Sequence, residues 1–150
     1  MREAIRLALD GIEAGHGGPF GAVVVRDAVV VGRGQNRVTS TNDPTAHAEV
    51  VAIRDACRQL GTFDLRGCEI YASCEPCPMC LAATYWARID RLYFGCSARD
   101  AAEIGFDDEV IRRELVSPHD ARTLPASQFL RDEALAAFDA WRNKQDKLWY

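Results

Sequence analysis

The hydrophobic positions of this chain follow helical spacing in some stretches and form short valine-rich runs in others. The first apolar residues recur every three or four positions and stop at a glycine-rich stretch, which predicts an opening helix: Ile5, Ala8, Leu9 and Ile12. Two valine-rich runs, residues 22–26 and 29–31, are separated only by Asp27-Ala28, and this pattern predicts a hairpin of two buried strands.

The middle of the chain repeats the alternation. A second helical stripe, which Gly61 ends, is formed by Val50, Ile53, Cys57 and Leu60. Apolar runs at residues 70–73 and 91–94 predict two strands on either side of a helix from Cys77 to about Ala87. A strand, helix and strand of this length predict a parallel pair joined by a right-handed crossover. The organisation is therefore α/β.

The last third of the chain has a weaker pattern. Residues 98–114 are rich in acid and glycine, and we expect a loop followed by a short helix. Leu135, Phe138 and Trp141 then recur at helical spacing and predict a final helix with an aromatic tail.

Composition adds the expected setting. The chain has 150 residues, of which 48% are hydrophobic, so we expect one domain with one sizeable core. Six cysteines without a recognisable signal peptide favour a reducing, cytoplasmic compartment. No apolar run approaches the roughly 20 residues that span a bilayer. A net charge of -4 gives no general attraction to nucleic acid or anionic lipid, so we expect neither partner.

Two short motifs combine the residue types that bind zinc. His47-Ala48-Glu49 is followed, thirty positions on, by a P-C-x-x-C motif that contains Cys77 and Cys80. Imidazole and thiolate suit Zn²⁺, and three protein ligands leave the fourth tetrahedral position to water. The two cysteines stand three apart, so on one helical turn they project to the same side. This motif pair is typical of zinc nucleobase deaminases, in which the glutamate is the general acid and base.

The residues around the motifs predict helix starts. Asp43-Pro44-Thr45 opens a helix with Thr45 as N-cap, which places His47 and Glu49 in its first turn. Pro76 and Pro78 occupy positions that a helix start tolerates.

Each motif alone has a structural explanation. A CxxC pair can be a redox pair or half of a structural zinc site. A structural site needs a fourth ligand, and Cys74 is the nearby candidate, although its place at the end of an apolar run indicates a buried residue. With both motifs in order at predicted helix starts, we favour an open, catalytic zinc site.

Beyond these motifs the chain resembles the bacterial guanine deaminases of the cytidine deaminase superfamily over nearly its whole length. The resemblance implies a three-layer α/β/α fold with a mixed central sheet of about five strands and helices on both faces. Its most selective segments are Phe106-Asp107-Asp108 and the C-terminal Tyr150. The other segments are residues 17–22, Gln35-Asn36, residues 42–49, residues 73–80, residues 85–88, residues 100–105 and residues 140–143.

The resemblance also implies the chemistry. One Zn²⁺ per subunit would be held by His47, Cys77 and Cys80, with Glu49 as the proton shuttle for hydrolysis of guanine to xanthine and ammonia. Asp108 would contact the guanine edge and serve as a second catalytic, proton-transferring residue. The implied substrate contacts are Phe20, Asn36, the backbone of Ala48, Trp86, Asp108 and Tyr150.

A homodimer is implied as well, in which the tail of about residues 143–150 crosses to the partner and closes its pocket. Tyr150, with Trp86 nearby, would then act in trans. Each contact also has a structural explanation: Phe20 as core, Asn36 as a turn residue, Asp108 as a helix cap or solvated charge, Trp86 as packing and Tyr150 as a frayed end.

Other functions stay open at this point. A tRNA adenosine deaminase shares both motifs, but the acidic balance here, also found in residues 98–114, is opposite to the basic surface of an RNA-binding protein. Guanosine, ammeline, cytosine or a pterin-like ring are alternative substrates, because closure by a tail decides whether a ribose fits. A non-catalytic zinc site that only holds a dimer would leave Glu49 without a purpose.

Overall fold

The computed structural model describes residues 1–149, and Tyr150, a predicted substrate contact, lies outside the described residues. The chain divides into two compact units, one of Met1–Glu109 and one that begins at Val110. Within the described part of the chain, no helix is both long and apolar enough to cross a membrane.

The first unit is built on a mixed sheet. Its strands are β1 (Gly21–Arg26), β2 (Val29–Gln35), β3 (Cys68–Cys74) and β4 (Arg91–Cys96), in the order β2-β1-β3-β4. The β1–β2 hairpin is antiparallel and the β3–β4 pair is parallel, so both predicted pairings are confirmed. We expected about five strands, but the described residues form four, because the chain after β4 turns at once into helices.

The helices of the chain are α1 (Arg2–Glu13), α2 (Val38–Thr41), α3 (Ala48–Leu60), α4 (Pro78–Trp86), α5 (Ala98–Glu103), α6 (Glu109–Val116) and α7 (Arg131–Asn143), with a 3₁₀ turn at His119–Ala121. The predicted loop at the start of residues 98–114 is wrong. Helix α5 begins there because Ser97 and Asp100 form a capping box: the Ser97 hydroxyl accepts from the Asp100 N–H, and the Ser97 N–H donates to the Asp100 carboxylate.

Strand β1 separates two layers of packing. Val23 lies in a cluster with Ala4 and Leu7 of α1, whereas Ala22 and Val24 lie in a cluster with α3. Successive side chains of a strand point to opposite faces, so α1 and α3 cover opposite faces of the sheet. The predicted α/β/α layering is confirmed.

Two glycines bring α3 against the sheet. A Cβ at Gly34 would lie 2.0 Å from the carbonyl oxygen of Ala48, and one at Gly32 would lie 2.4 Å from that of Ala52. Only glycine permits this approach of helix to strand. It also explains why β2 continues four residues beyond the predicted end at Val31: these glycines serve packing and do not break the strand.

The second unit contains the remainder of α6, the 3₁₀ turn and α7, which confirms the predicted final helix. None of the residues in these helices is buried. Trp141 meets Trp149 edge to face at 6.5 Å between ring centroids, and the ammonium of Lys147 lies 5.4 Å from the Trp149 ring. This unit therefore exposes a large apolar surface that includes Phe138 and Leu148.

Candidate active site

Two helix starts hold the predicted metal ligands. His47 is the N-cap of α3 and Cys77 is the N-cap of α4, both in extended conformation, and Pro78 takes the first position of α4. Cys80 follows one turn into the same helix. Two helix N-termini, each with unpaired N–H groups and a positive dipole end, thus lie beside these side chains.

The predicted N-cap of α3 is wrong. Thr45 does not cap the helix, because its hydroxyl and its N–H both donate to the carboxylate of Asp43, at 2.6 and 2.8 Å. This turn occupies the Thr45 side chain, and the helix begins two residues later than expected. His47 therefore caps α3 and does not lie in its first turn, while Glu49 does.

The three predicted ligands come together. The Nδ1 atom of His47 lies 3.5 Å from Sγ of Cys77 and 3.5 Å from Sγ of Cys80, and all three atoms lie within 4.8 Å of one another. With Zn–S bonds of about 2.3 Å and Zn–N bonds of about 2.0–2.1 Å, tetrahedral S and N ligands are roughly 3.5 Å apart. The residues present therefore fit a zinc ion in both donor type and spacing.

Electrostatic coupling within the cluster favours a thiolate at Cys77. A hydrogen bond from Cys80 and another from His47 lower the pKa of Cys77 to about 4. The same bond to Cys77, together with burial, raises the pKa of Cys80. The pKa of His47 is raised, chiefly by its bond to Cys77. The cluster thus offers one thiolate, at Cys77, and a divalent cation bound there would displace the proton of Cys80.

Glu49 lies beside the cluster without belonging to it. The residue is only 7% exposed, and its Oε2 lies 3.4 Å from Sγ of Cys80. Burial raises the pKa of this carboxyl group. A carboxyl group in such a place is suited to accept and return a proton next to the metal ligands.

The side-chain oxygen of Asn36 is held by hydrogen bonds within the protein, whereas its side-chain amine can donate to a ligand. Its residue is 5% exposed, and its Oδ1 accepts from the N–H of Gly18 at 3.1 Å and of Val38 at 3.2 Å. The bond to Val38, two residues further on, is the contact expected of a turn residue, which was the structural explanation for Asn36. Because two donors face Oδ1, the amine end points the other way, and no described residue accepts from it.

An aromatic pair lies next to Asn36. The carbonyl of Phe20 accepts from the N–H of Asn36 at 3.0 Å, and the Phe20 ring meets Phe106 edge to face with centroids 4.9 Å apart. A Cβ at Gly18 would lie 3.0 Å from the Phe106 ring. No role was assigned to Phe106 from the sequence. The available signal was an aromatic residue in an otherwise acidic segment.

The remaining predicted site residues are spread more widely. Ala48 is fully buried as the first residue of α3, directly beside His47. Asp108 is half-buried and follows Phe106 by two residues. Trp86 ends α4 and is 66% exposed. At 1.5 Å per residue its backbone lies about 13 Å along the helix from Cys77 and about 9 Å from Cys80.

Comparison with known proteins places this geometry in a family. Residues 1–96 match the model of the cytidine and deoxycytidylate deaminase zinc-binding region. The chain belongs to the cytidine and deoxycytidylate deaminase family. Both metal motifs fall within the matched residues, so the His47, Cys77 and Cys80 cluster lies in the part of the chain that matches a zinc-binding region.

Relatives within this family differ in how much of this chain they match. Guanine deaminase of Bacillus subtilis is 51% identical over 150 residues, which is 100% of this chain and 96% of the relative. The crystal structure of that protein covers 99% of this chain and 95% of its own, with a TM-score of 0.96 and 52% identity. A tRNA-specific adenosine deaminase of Aquifex aeolicus is 42% identical over 94 residues, 63% of this chain and 62% of the relative. The resemblance seen in the sequence is confirmed.

Proposed function

We propose that the protein is a zinc-dependent guanine deaminase, which converts guanine and water to xanthine and ammonia. The full-length match supports this most directly. The guanine deaminase of Bacillus subtilis aligns over all 150 residues, whereas the tRNA-specific adenosine deaminase aligns over 94. The similarity therefore extends beyond the part that the two kinds of deaminase share.

In this proposal each subunit holds one zinc ion on His47 Nδ1 and the Sγ atoms of Cys77 and Cys80. Zinc bound there supplies Lewis-acid activation of the attacking water. The 3.5 Å separations between the nitrogen and the two sulfur atoms support this ligand set.

Glu49 carries the protons. Its buried carboxylate accepts a proton from the attacking water, and the oxygen adds to C2 of guanine. The carboxyl group passes that proton to the ring nitrogen N3. It then takes the proton of the new hydroxyl group on C2 and gives it to the departing amine, so that the exocyclic C–N bond breaks, the C2 carbonyl forms and ammonia leaves. Its burial and its position next to Cys80 support this role. General acid and base transfer of this kind typically contributes about 10²- to 10⁴-fold.

Substrate recognition uses groups whose polarity matches guanine. The amine of Asn36 donates to O6 or N7 of the base, which are acceptors. Asp108 accepts from N1–H and the exocyclic amine and assists proton transfer on that edge. The backbone of Ala48, beside the zinc histidine, makes a further polar contact.

The base itself lies against Phe20, with Phe106 as the second member of the aromatic pair. By analogy with bases on single-strand binding platforms, stacking of this kind is worth about 1–3 kcal/mol. The aromatic pair therefore supports binding of a flat ring without itself selecting guanine.

We also propose that the protein is a cytoplasmic homodimer whose tail, about residues 143–150, closes the partner's pocket with Tyr150, near Trp86. The second unit supports this, because its helices bury no residue and leave Leu148 and Trp149 more than 70% exposed. Such apolar surface is typical of an interface. The six free cysteines agree with a reducing compartment.

A substrate panel tests the proposal. Zinc-loaded protein is incubated with guanine, guanosine, ammeline, adenosine and cytidine, and ammonia is measured. We expect guanine to be the best substrate. Filter binding to tRNA at low salt distinguishes a guanine deaminase from a tRNA adenosine deaminase, because only the latter is expected to bind tRNA tightly and in a salt-sensitive way. Release of ammonia from another base, with none from guanine, overturns the proposal.

A further inference from the structure

Cys74 and Cys96 face each other across the two parallel strands. They are register partners, the last residues of β3 and β4. Neighbouring strands lie about 4.8 Å apart, and disulfides join Cα atoms about 4.4–6.8 Å apart. Partners in register also project to the same face of a sheet. The backbone therefore already holds the two cysteines at a separation that permits a disulfide.

The two thiols have different surroundings. Cys96 is exposed, whereas Cys74 is 8% exposed and its thiol donates to the carbonyl of Ser97 at 3.5 Å. Neither belongs to the cluster of His47, Cys77 and Cys80. Both are among the residues around a groove of about 470 Å³. An accessible thiol thus lies beside a protected one.

The backbone around the pair needs little movement. The N–H of Glu75 donates to the carbonyl of Cys96 at 2.8 Å, and the Glu75 carboxylate accepts from the N–H of Ala98 at 2.9 Å. The ends of β3 and β4 are therefore tied together next to the two sulfur atoms. Closing a disulfide gives up the weak bond from Cys74 to Ser97 and leaves these two bonds in place.

We propose that Cys74 and Cys96 form a reversible disulfide when the protein meets a small-molecule disulfide such as oxidised glutathione. The thiolate of Cys96 attacks one sulfur of the reagent, which forms a mixed disulfide and expels one thiolate. The thiolate of Cys74 then attacks Sγ of Cys96, and the second reagent thiolate leaves. Two protein thiols are oxidised with loss of two protons, and one reagent disulfide is reduced to two thiols.

The order of attack follows from exposure. Burial raises the pKa of Cys74 to about 11, so this thiol reacts second and within the protein. Cys74 stands three positions before the metal ligand Cys77 along the chain. Because the strand ends are already tied, we expect zinc to stay bound while the disulfide forms. Formation of this disulfide does not depend on which base the protein deaminates.

The test uses zinc-loaded full-length protein with oxidised glutathione, followed by intact mass, non-reducing peptide mapping and zinc content. We expect the mass to fall by two hydrogens, a peptide that links Cys74 to Cys96, unchanged zinc, and reversal by dithiothreitol. Cys96→Ser should abolish the link, and Cys74→Ser should leave a stable glutathione adduct on Cys96. Cys57→Ser, which removes a half-buried thiol of α3 that belongs neither to the pair nor to the metal cluster, is the matched control and should form the link.

Three outcomes overturn the inference. The first is no reaction of the wild type, and the second is a lasting glutathione adduct on Cys96 in the wild type. The third is a Cys77–Cys80 link with release of zinc, which would mean that the metal ligands are the reactive thiols.

Discussion

His47 and Cys77 occupy equivalent positions in different helices: each is an N-cap in extended conformation, and Nδ1 of one lies 3.5 Å from Sγ of the other. Two positive helix ends therefore face one cluster, where they favour thiolates over thiols. The ligands are placed by backbone geometry at the start of each helix and depend little on long, mobile side chains.

Replacing Cys77 by serine should remove the metal. A serine hydroxyl stays protonated at neutral pH and is a poor zinc ligand compared with a thiolate. We expect zinc affinity to fall by more than about 10²-fold, since even partners behind the ligands contribute 10–100-fold. Metal analysis after dialysis against a chelator measures this. Cys96→Ser, which removes an exposed thiol outside the cluster, should retain zinc, and stoichiometric zinc in Cys77→Ser would contradict the ligand assignment.

Gly17→Ala should displace Asn36. A Cβ at Gly17 would lie 2.3 Å from Asn36 Oδ1 and 3.0 Å from its carbonyl oxygen, and neither position can be kept. We expect KM for guanine to rise at least about 10-fold, as for loss of one hydrogen bond to the substrate, with zinc content unchanged. Gly11→Ala is the control, because its Cβ makes ordinary contacts at 3.5 Å. Equal KM values in the two variants would show that Asn36 does not bind the base.

Asn36→Asp separates the two ends of that side chain. A carboxylate still accepts from Gly18 and Val38, so the loop should keep its fold, but it has no donor for the substrate. We expect near-normal thermal stability at neutral pH and a kcat/KM for guanine lower by about 10- to 100-fold, the usual cost of an unpaired polar group. Normal kcat/KM would assign Asn36 to the loop alone.

Gly34→Ala should destabilise the first unit. The added Cβ would meet the backbone oxygen of Ala48 at 2.0 Å, and a helix backbone cannot yield as a side chain does. We expect a loss of about 1–3 kcal/mol in the free energy of unfolding, or more, measured by denaturant titration. Zinc affinity should fall too, because Ala48 follows His47. Gly11→Ala again serves as control, and unchanged stability of Gly34→Ala would contradict the close packing of α3.

The metal cluster could be predicted from sequence because its residues are set by local spacing at two helix starts. The hairpin and the parallel pair also follow from local patterns, whereas the helices on both faces of the sheet were implied by the family resemblance. The N-cap of α3 could not be predicted from local patterns. Thr45 is a residue type that often caps helices, but its hydroxyl donates to the carboxylate of Asp43 instead. The capping box of Ser97 and Asp100 was readable, but the glycines and acids around it indicated a loop.

Other features depend on contacts between distant parts of the chain. Asn36 takes its orientation from Gly18, eighteen residues away, and Phe20 meets Phe106 across 86 positions. The extension of β2 depends on contact with α3, and the glycines of β2 allow the helix to come this close. Such contacts have no periodicity, so the residue types alone do not reveal them.

Glu49 lies beside the His47, Cys77 and Cys80 cluster, and we propose that it transfers protons in the hydrolysis of guanine. Glu49→Gln keeps the shape of the side chain and removes its ability to carry a proton. The direct measurement is the rate of xanthine and ammonia formation from guanine by zinc-loaded wild type and zinc-loaded Glu49→Gln. We expect equal amounts of both products from the wild type and a kcat at least about 10²-fold lower in the variant at equal zinc content. No xanthine from the wild type, or normal turnover by Glu49→Gln, would contradict the account.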